Sequence, residues 1–432
     1  MTANGQAIDP TTLSAAEISA KVRSGALSCE QVVRARLDRI AAREGDVRAW
    51  AEIDEDQAIA AARTVDAAGP RGLLAGVPIG VKDVIDTSDL PTRYGSPIYD
   101  SHRPAADASC VALARLEGAL VLGKTVTAEF AGVEPTRTRN PLNLAHTPGG
   151  SSSGSAAAVA DHMVPVAYGT QTGGSVLRPA SFCGVIGFKP TFGLYNPAGV
   201  KPAAESFDTV GLIARTVEDI SLFHAVLTHT EPVPARASFS GLRIGIFRTH
   251  LWDSVLPETA ALFERRSARL AAAGAHLVDV AIPEGFETIT EHRATINAYE
   301  RAHGLAHEWR AHRDLLTRYS VAVCERGFAI DGETYLGSRI AVDALRSKVR
   351  SLFADIDLLL TPTVPGEAPE GHDYAGDPRL QELWTMLHCP AITLPAGHGP
   401  NGLPIGLQLV APQYADATLL SAAGAVAESL RT

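Results

Sequence analysis

GTQTGGSVLRPA, residues 169–180, is the stretch on which the reading turns. Two glycines, Gly173 and Gly174, precede Ser175. Glycine takes positive φ freely and lets the backbone approach a ligand closely. The N–H groups of Thr172, Gly173, Gly174 and Ser175 can therefore converge on one point. Such a cluster suits the oxyanion of a tetrahedral intermediate, with Ser175 as the nucleophile beside it. Taken alone, the string fits an ordinary Gly/Ser turn or an anion-binding nest equally well.

Two further strings bear on it. TPGGSSSGSAAAV (147–159) is a second Gly/Ser loop running into a small-residue helix. A phosphate could sit at such a helix N-terminus, yet the GKS or GKT ending of a P-loop and a GxGxxG pattern are both missing. Its serines, Ser151, Ser152, Ser153 and Ser155, also fit helix capping or packing. GVPIGVKD (76–83) sets Lys82 in an apolar, strand-like run. Burial disfavours an ammonium and lowers its pKa. A neutral lysine can then take a proton from a serine hydroxyl. The alternative is a strand-end ammonium paired with Asp83 or Asp86.

In this order, the three strings resemble the amidase signature family. The likeness runs on through SFCGVIGFKPTFG (181–193) and returns at DLLLTPTVP (357–365), PAITLPAG (390–397) and GLPIGLQLV (402–410). The resemblance implies hydrolysis of an amide C–N bond in a small molecule, through an acyl-enzyme that water resolves. It makes Ser175 the nucleophile and Ser151, 24 positions earlier, the bridging serine after a cis peptide bond. Lys82 becomes the lysine that starts neutral and later returns a proton to the leaving amine through Ser151. Thr172, Gly173 and Gly174 match the oxyanion-hole backbone. No cofactor and no metal are implied, in keeping with 14 histidines that form no HExxH and five cysteines that form no CxxC.

Arg178 stands three residues after Ser175, one later than in many family members. That spacing resembles the bacterial malonamidases, whose matching arginine helps to bind a substrate carboxylate, and a guanidinium fork suits that role. The other reading is a structural arginine paired with a buried acid such as Asp208. Tyr94 and Ser96 in PTRYGSPIY, and Trp384, His388 and Cys389 in WTMLHCPAITLP, fall where the family often lines its cleft; all fit a core as well. Glu129 and Cys183 read as structural, since nothing local lowers the thiol pKa.

Composition narrows the partners. The net charge is −10 and the basic residues form no run, which argues against nucleic acid. No apolar run reaches the roughly 18 residues of a membrane helix. The opening MTANGQAIDP lacks the pattern of a signal peptide. An odd number of widely spaced cysteines reads as reduced thiols in a cytoplasm.

Thr12 or Ser14 can cap a first helix, and Ser28 with Gln31 a second, in which Val32, Val33, Leu37 and Ile40 share a face. Strand-like 73–86, helical 109–119 and strand-like 121–127 then alternate, which predicts an α/β fold. The resemblance implies one domain over 1–432, with a central mixed β-sheet surrounded by α-helices and the catalytic loops over one edge of the sheet. Within it, 1–70 are N-terminal helices, 71–220 hold the catalytic motifs, 225–350 form a variable lobe and 351–432 return to the sheet. A homodimer is implied, with room for an accessory subunit.

Three other readings stay open. One is a partner-dependent amidohydrolase of biuret-like or carboxylated ureas. Another is the glutamine-hydrolysing subunit of a tRNA amidotransferase. The third, of a different class, is a binding protein on the same fold without catalysis; the intact Lys82, Ser151 and Ser175 speak against it.

Overall fold

Ser14 and Ser28 set the entry to the first two helices, Ala15–Arg23 and Cys29–Val47. Each hydroxyl accepts a backbone N–H three residues on, and Glu17 or Gln31 reaches back to the cap's own N–H. Thr12 does not cap; its hydroxyl donates to the Asp9 carbonyl. Val32, Val33, Leu37 and Ile40 are buried together, as their spacing predicts. The same helix buries Arg36 completely, and its guanidinium donates to the carbonyls of Thr11, Leu13 and His162. A buried guanidinium needs such partners, and here they tie the N-terminal segment to the body. This computed structural model describes residues 8–431; the reading of residues 1–7 as free of a signal peptide lies outside the described residues.

One sheet of eleven strands organises the molecule. In chain order they are β1 (Trp50–Ile53), β2 (Pro78–Lys82), β3 (Leu120–Thr125), β4 (Val166–Gln171), β5 (Ile186–Lys189) and β6 (Thr209–Ala214). There follow β7 (Arg243–Ile246), β8 (His276–Asp279), β9 (Leu358–Pro362), β10 (Ala391–His398) and β11 (Pro404–Val410). The spatial order is β1-β3-β2-β4-β6-β5-β10-β11-β9-β7-β8. β2 runs parallel to β3 and β4, and β7 parallel to β8 and β9; the other neighbours are antiparallel. The sheet is therefore mixed. Every residue of β2, β3, β4, β5 and β6 is buried, because helices cover both faces. The expected polar turn between β10 and β11 is present, and the two strands form an antiparallel hairpin.

The sheet fixes where the chemistry can be. Ile79 pairs with Val166 and Val81 with Tyr168 in parallel register, so β2 and β4 end on the same rim. In α/β sheets that C-terminal rim is the usual place for a ligand. Lys82 ends β2 and the Ser175 string leaves β4, two adjacent interior strands, while the Ser151 string leads into helix Ser153–Ala160; this corrects the expectation that the catalytic loops lie over an edge of the sheet. Within 225–350, β7 and β8 join the same sheet, and helix Ile289–Gly304 packs on helix Arg379–Met386. Among the described residues, no helix is long and apolar enough to cross a membrane.

Candidate active site

Lys82 is the last residue of β2 and has no exposed surface. Its Nζ lies 2.8 Å from Ser151 Oγ, 2.8 Å from Thr170 Oγ1 and 3.4 Å from the Thr170 carbonyl. No carboxylate comes within ion-pair distance of it among the described residues. Asp83 turns to Lys124 (3.7 Å), and Asp86 accepts from the Tyr94 hydroxyl (3.0 Å). Burial holds the Lys82 amine well below the usual lysine range; the more distant Asp208 charge opposes this, and the Arg301 charge adds to it. Thr170 can accept the two amine hydrogens, leaving the lone pair for Ser151.

Ser151 follows Gly149 and Gly150, which have φ of 81° and 61°. A Cβ on Gly150 would meet the Pro179 ring at 2.8 Å, so only glycine lets this loop lie against helix Leu177–Phe182. The close approach brings the Ser151 N–H to 3.4 Å from Ser175 Oγ. No cis peptide bond occurs among the described residues, so the bond before Ser151 is trans, contrary to what the resemblance implied.

The loop that carries Ser175 is held from three sides. Gln171 Oε1 accepts from the N–H groups of Val176 and Leu177, at 2.9 and 3.1 Å. Thr385 Oγ1 donates to the Gly173 carbonyl at 2.8 Å. Thr172 Oγ1 donates to Asp208, whose other oxygen accepts from Ala203 and Ala204 N–H. On Gly174 a Cβ would overlap the end of the Gln381 side chain and stand 3.3 Å from Gln381 Cβ, so a larger residue needs Gln381 to move. Among the described residues, the N–H groups of Thr172, Gly173, Gly174 and Ser175 donate no backbone hydrogen bond in the turns and loops. Ser175 is 8% exposed, against 1% for Ser151.

Arg178 lies one helical turn after this loop, its N–H donating to the Gly174 carbonyl. It is 6% exposed, and its guanidinium donates to the Gly376 carbonyl. Burial lowers its pKa to about 10. Asp208, the acid considered as its partner, belongs to Thr172 instead.

The other candidates are placed elsewhere. Trp384 is completely buried in a cluster with Phe247, 5.3 Å between ring centroids, which fits the core reading left open for it. His388 stacks on Phe192 at 4.0 Å, and its Nε2 lies 2.8 Å from the Ser206 carbonyl. Burial lowers its pKa to about 3. Cys389 is buried beside it, its thiol pushed up to about 12. Tyr94 packs edge-on against Tyr99 and binds Asp86. Ser96 donates to Glu129 Oε1 at 2.8 Å, and Glu129 Oε2 collects Thr317 and Ser320. Ser96 and Glu129 border a cavity of about 560 Å³, whose lining includes Thr127 and Ala128 but none of Lys82, Ser151 and Ser175.

Sequence reasoning missed Thr170, Gln171, Thr385 and Gln381. The first two stand in the quoted string itself, where a threonine and a glutamine at a strand end are a readable signal for loop anchoring. Thr385 and Gln381 come from a helix more than 200 residues away, with no local pattern to mark them.

At one rim of the sheet, then, an interior-strand lysine lies beside a serine, with a second serine on the adjoining glycine loop. The Amidase family model matches residues 31–420, and the chain belongs to that family. It is 33% identical to a glutamyl-tRNA(Gln) amidotransferase subunit of Thermobifida fusca (strain YX), over 97% of this chain and 96% of that one. Among solved structures, an amidase superposes with a TM-score of 0.90 at 27% identity, covering 97% of this chain and 100% of that one. A chain from a structure of a vestigial protein complex, described as revealing the evolutionary origins of an s-triazine catabolic enzyme, superposes with a TM-score of 0.89 at 28% identity, covering 96% of this chain and 98% of that one. The protein is an amidase signature hydrolase of C–N bonds in amides.

Proposed function

We propose that the protein hydrolyses a small amide bearing a carboxylate, with Ser175 as nucleophile and Ser151 and Lys82 as its proton relay. The observation that supports this best is the fully buried Lys82 amine, 2.8 Å from Ser151 Oγ and without a carboxylate partner. Ser175 Oγ attacks the amide carbon as its proton passes to Ser151, whose own proton passes to Lys82. The carbonyl oxygen becomes an oxyanion that accepts from the N–H groups of Thr172, Gly173, Gly174 and Ser175. The C–N bond then breaks, and Lys82 returns the proton through Ser151 to the leaving nitrogen. Water attacks the acyl-enzyme along the same relay, giving the acid and free Ser175. Arg178 is the carboxylate partner in this reading.

Ammonia release from malonamate, biuret and carboxylated ureas, glutamine, aliphatic amides and aryl amides tests it, with Ser175→Ala as control. Release from an acidic amide should vanish in Ser175→Ala; turnover that survives would name another nucleophile. Arg178→Ala should weaken acidic amides far more than neutral ones, and equal losses would remove its assigned role.

A second reading is favoured by the 33% identity to an amidotransferase component. In it the same trio hydrolyses glutamine, itself an amide with a carboxylate, and works with a partner protein. Glutamine as the best substrate, with turnover rising when a co-purifying protein is added, would select it.

A further inference from the structure

The nucleophile loop is approached from the region with no motif. Helix Ile289–Gly304 sends Arg293 to Gly173, where a Cβ would stand 2.9 Å from the guanidinium Nη2. A side chain at position 173 would therefore displace the guanidinium. Arg293 Nη1 is held by Glu382 Oε1 at 2.8 Å, with Arg293 16% and Glu382 2% exposed. Glu382 in turn favours the charge on Arg178, and Arg293 disfavours it, so the three groups share one field. The other acid within that field, Asp377, is held by Arg379 at 2.6 Å.

Two observations say that this cluster is incomplete. Arg178 Nε, Arg293 Nε, Glu382 Oε2 and Gln381 Oε1 are all buried without a hydrogen-bond partner. Buried polar atoms are normally partnered, so the two guanidinium Nε donors mark an acceptor-bearing occupant, while Glu382 Oε2 and Gln381 Oε1 are acceptors that call for donors. The charges also fail to cancel. Two guanidinium groups face one carboxylate, leaving one positive charge buried beside the loop, and an uncompensated buried charge is strongly unfavourable. A planar monoanion answers the two Nε donors and the charge.

Resting on the reading of Arg178 above, we propose that Arg293, oriented by Glu382, is the second cation of a two-arginine subsite for the substrate carboxylate, and so a specificity-determining residue for small acidic amides. Arg178 comes from the catalytic core and Arg293 from the 225–350 region, so the subsite joins the two across Gly173 and Gly174. The carboxylate held there lies next to the loop that carries Ser175, which places the amide group of a short acidic amide near the nucleophile.

The test compares an acidic amide with its methyl ester, malonamate and methyl malonamate, in wild-type, Arg293→Met, Arg293→Lys and Ser175→Ala proteins. Arg293→Met should raise KM for malonamate on the order of tenfold to a hundredfold, the span of one charge-assisted hydrogen bond. It should leave kcat/KM for the ester within about twofold, and Arg293→Lys should fall between. Equal losses on both substrates would make Arg293 a structural residue and overturn the proposal, while Ser175-dependent turnover would still uphold the parent reading. A second measurement needs no turnover. Malonate should raise the melting temperature of Ser175→Ala protein, and Arg293→Met should abolish that shift. No shift in Ser175→Ala protein, or an equal one in both, would overturn the subsite on its own.

Discussion

Lys82 and Lys124 sit on adjacent parallel strands, and neither has any exposed surface, yet their surroundings differ. Lys124 Nζ donates to the Ile85 carbonyl and to Thr92 Oγ1, and stands 3.7 Å from Asp83. Burial lowers its pKa to about 8 and raises that of Asp83 to about 6, so both remain ionised between those values. Lys82 has two serine and threonine hydroxyls and a carbonyl but no acid. Its amine is therefore held well below the usual range. Equal burial gives a structural ammonium where a carboxylate is supplied and a proton acceptor where it is withheld. The register makes the choice: Val81, and not Lys82, pairs with Lys124, so Asp83, next along the chain, turns its carboxylate to Lys124.

That contrast can be broken at several points. Lys82→Ala should lower kcat on the order of 10⁴-fold, the scale for losing one member of a catalytic relay, with the melting temperature little changed. A loss of tenfold or less would move the base elsewhere. Lys124→Met should act on stability instead, by about 3–5 kcal/mol, because Asp83 is left buried and unpaired. Denaturant titration reads this, and adding Asp83→Asn should recover part of the loss; no recovery would deny the ion pair. The smallest effect is expected from Thr170→Val, which removes one hydroxyl contact of the Lys82 amine. About tenfold in kcat, with KM unchanged, is the scale of one hydrogen bond. A change confined to KM would place Thr170 in substrate binding rather than beside the base.

The legible part of this molecule is the part whose chemistry constrains the backbone. Gly150 has no room for a side chain against Pro179, Ser151 and Ser175 lie at the ends of tight glycine loops, and Lys82 ends a buried strand. Such demands leave short, dense strings in the sequence. The strand and helix pattern was equally readable where capping residues and apolar spacing are strong, as at Ser14, Ser28 and the β10–β11 hairpin. The joining of β7 and β8 to the same sheet was not, because strand order is decided by contacts between distant segments. Arg293 and Glu382 were also invisible. An arginine on an amphipathic helix looks like any solvated one until the helix is packed. Trp384 shows the converse: its neighbourhood in the sequence fits a cleft or a core, and packing of its indole against Phe247 puts it in the core.

The pH dependence of kcat/KM, measured with an acidic amide whose own charge is constant over the range, addresses the neutral lysine directly. Protonated Lys82 cannot accept from Ser151, so the rate should fall with unit slope as pH drops through the depressed Lys82 pKa. The activity should stand level above that value, far below the ordinary lysine range. A profile that stays flat down to the pH of unfolding, or one that rises only near the pKa of an exposed lysine, would contradict the account.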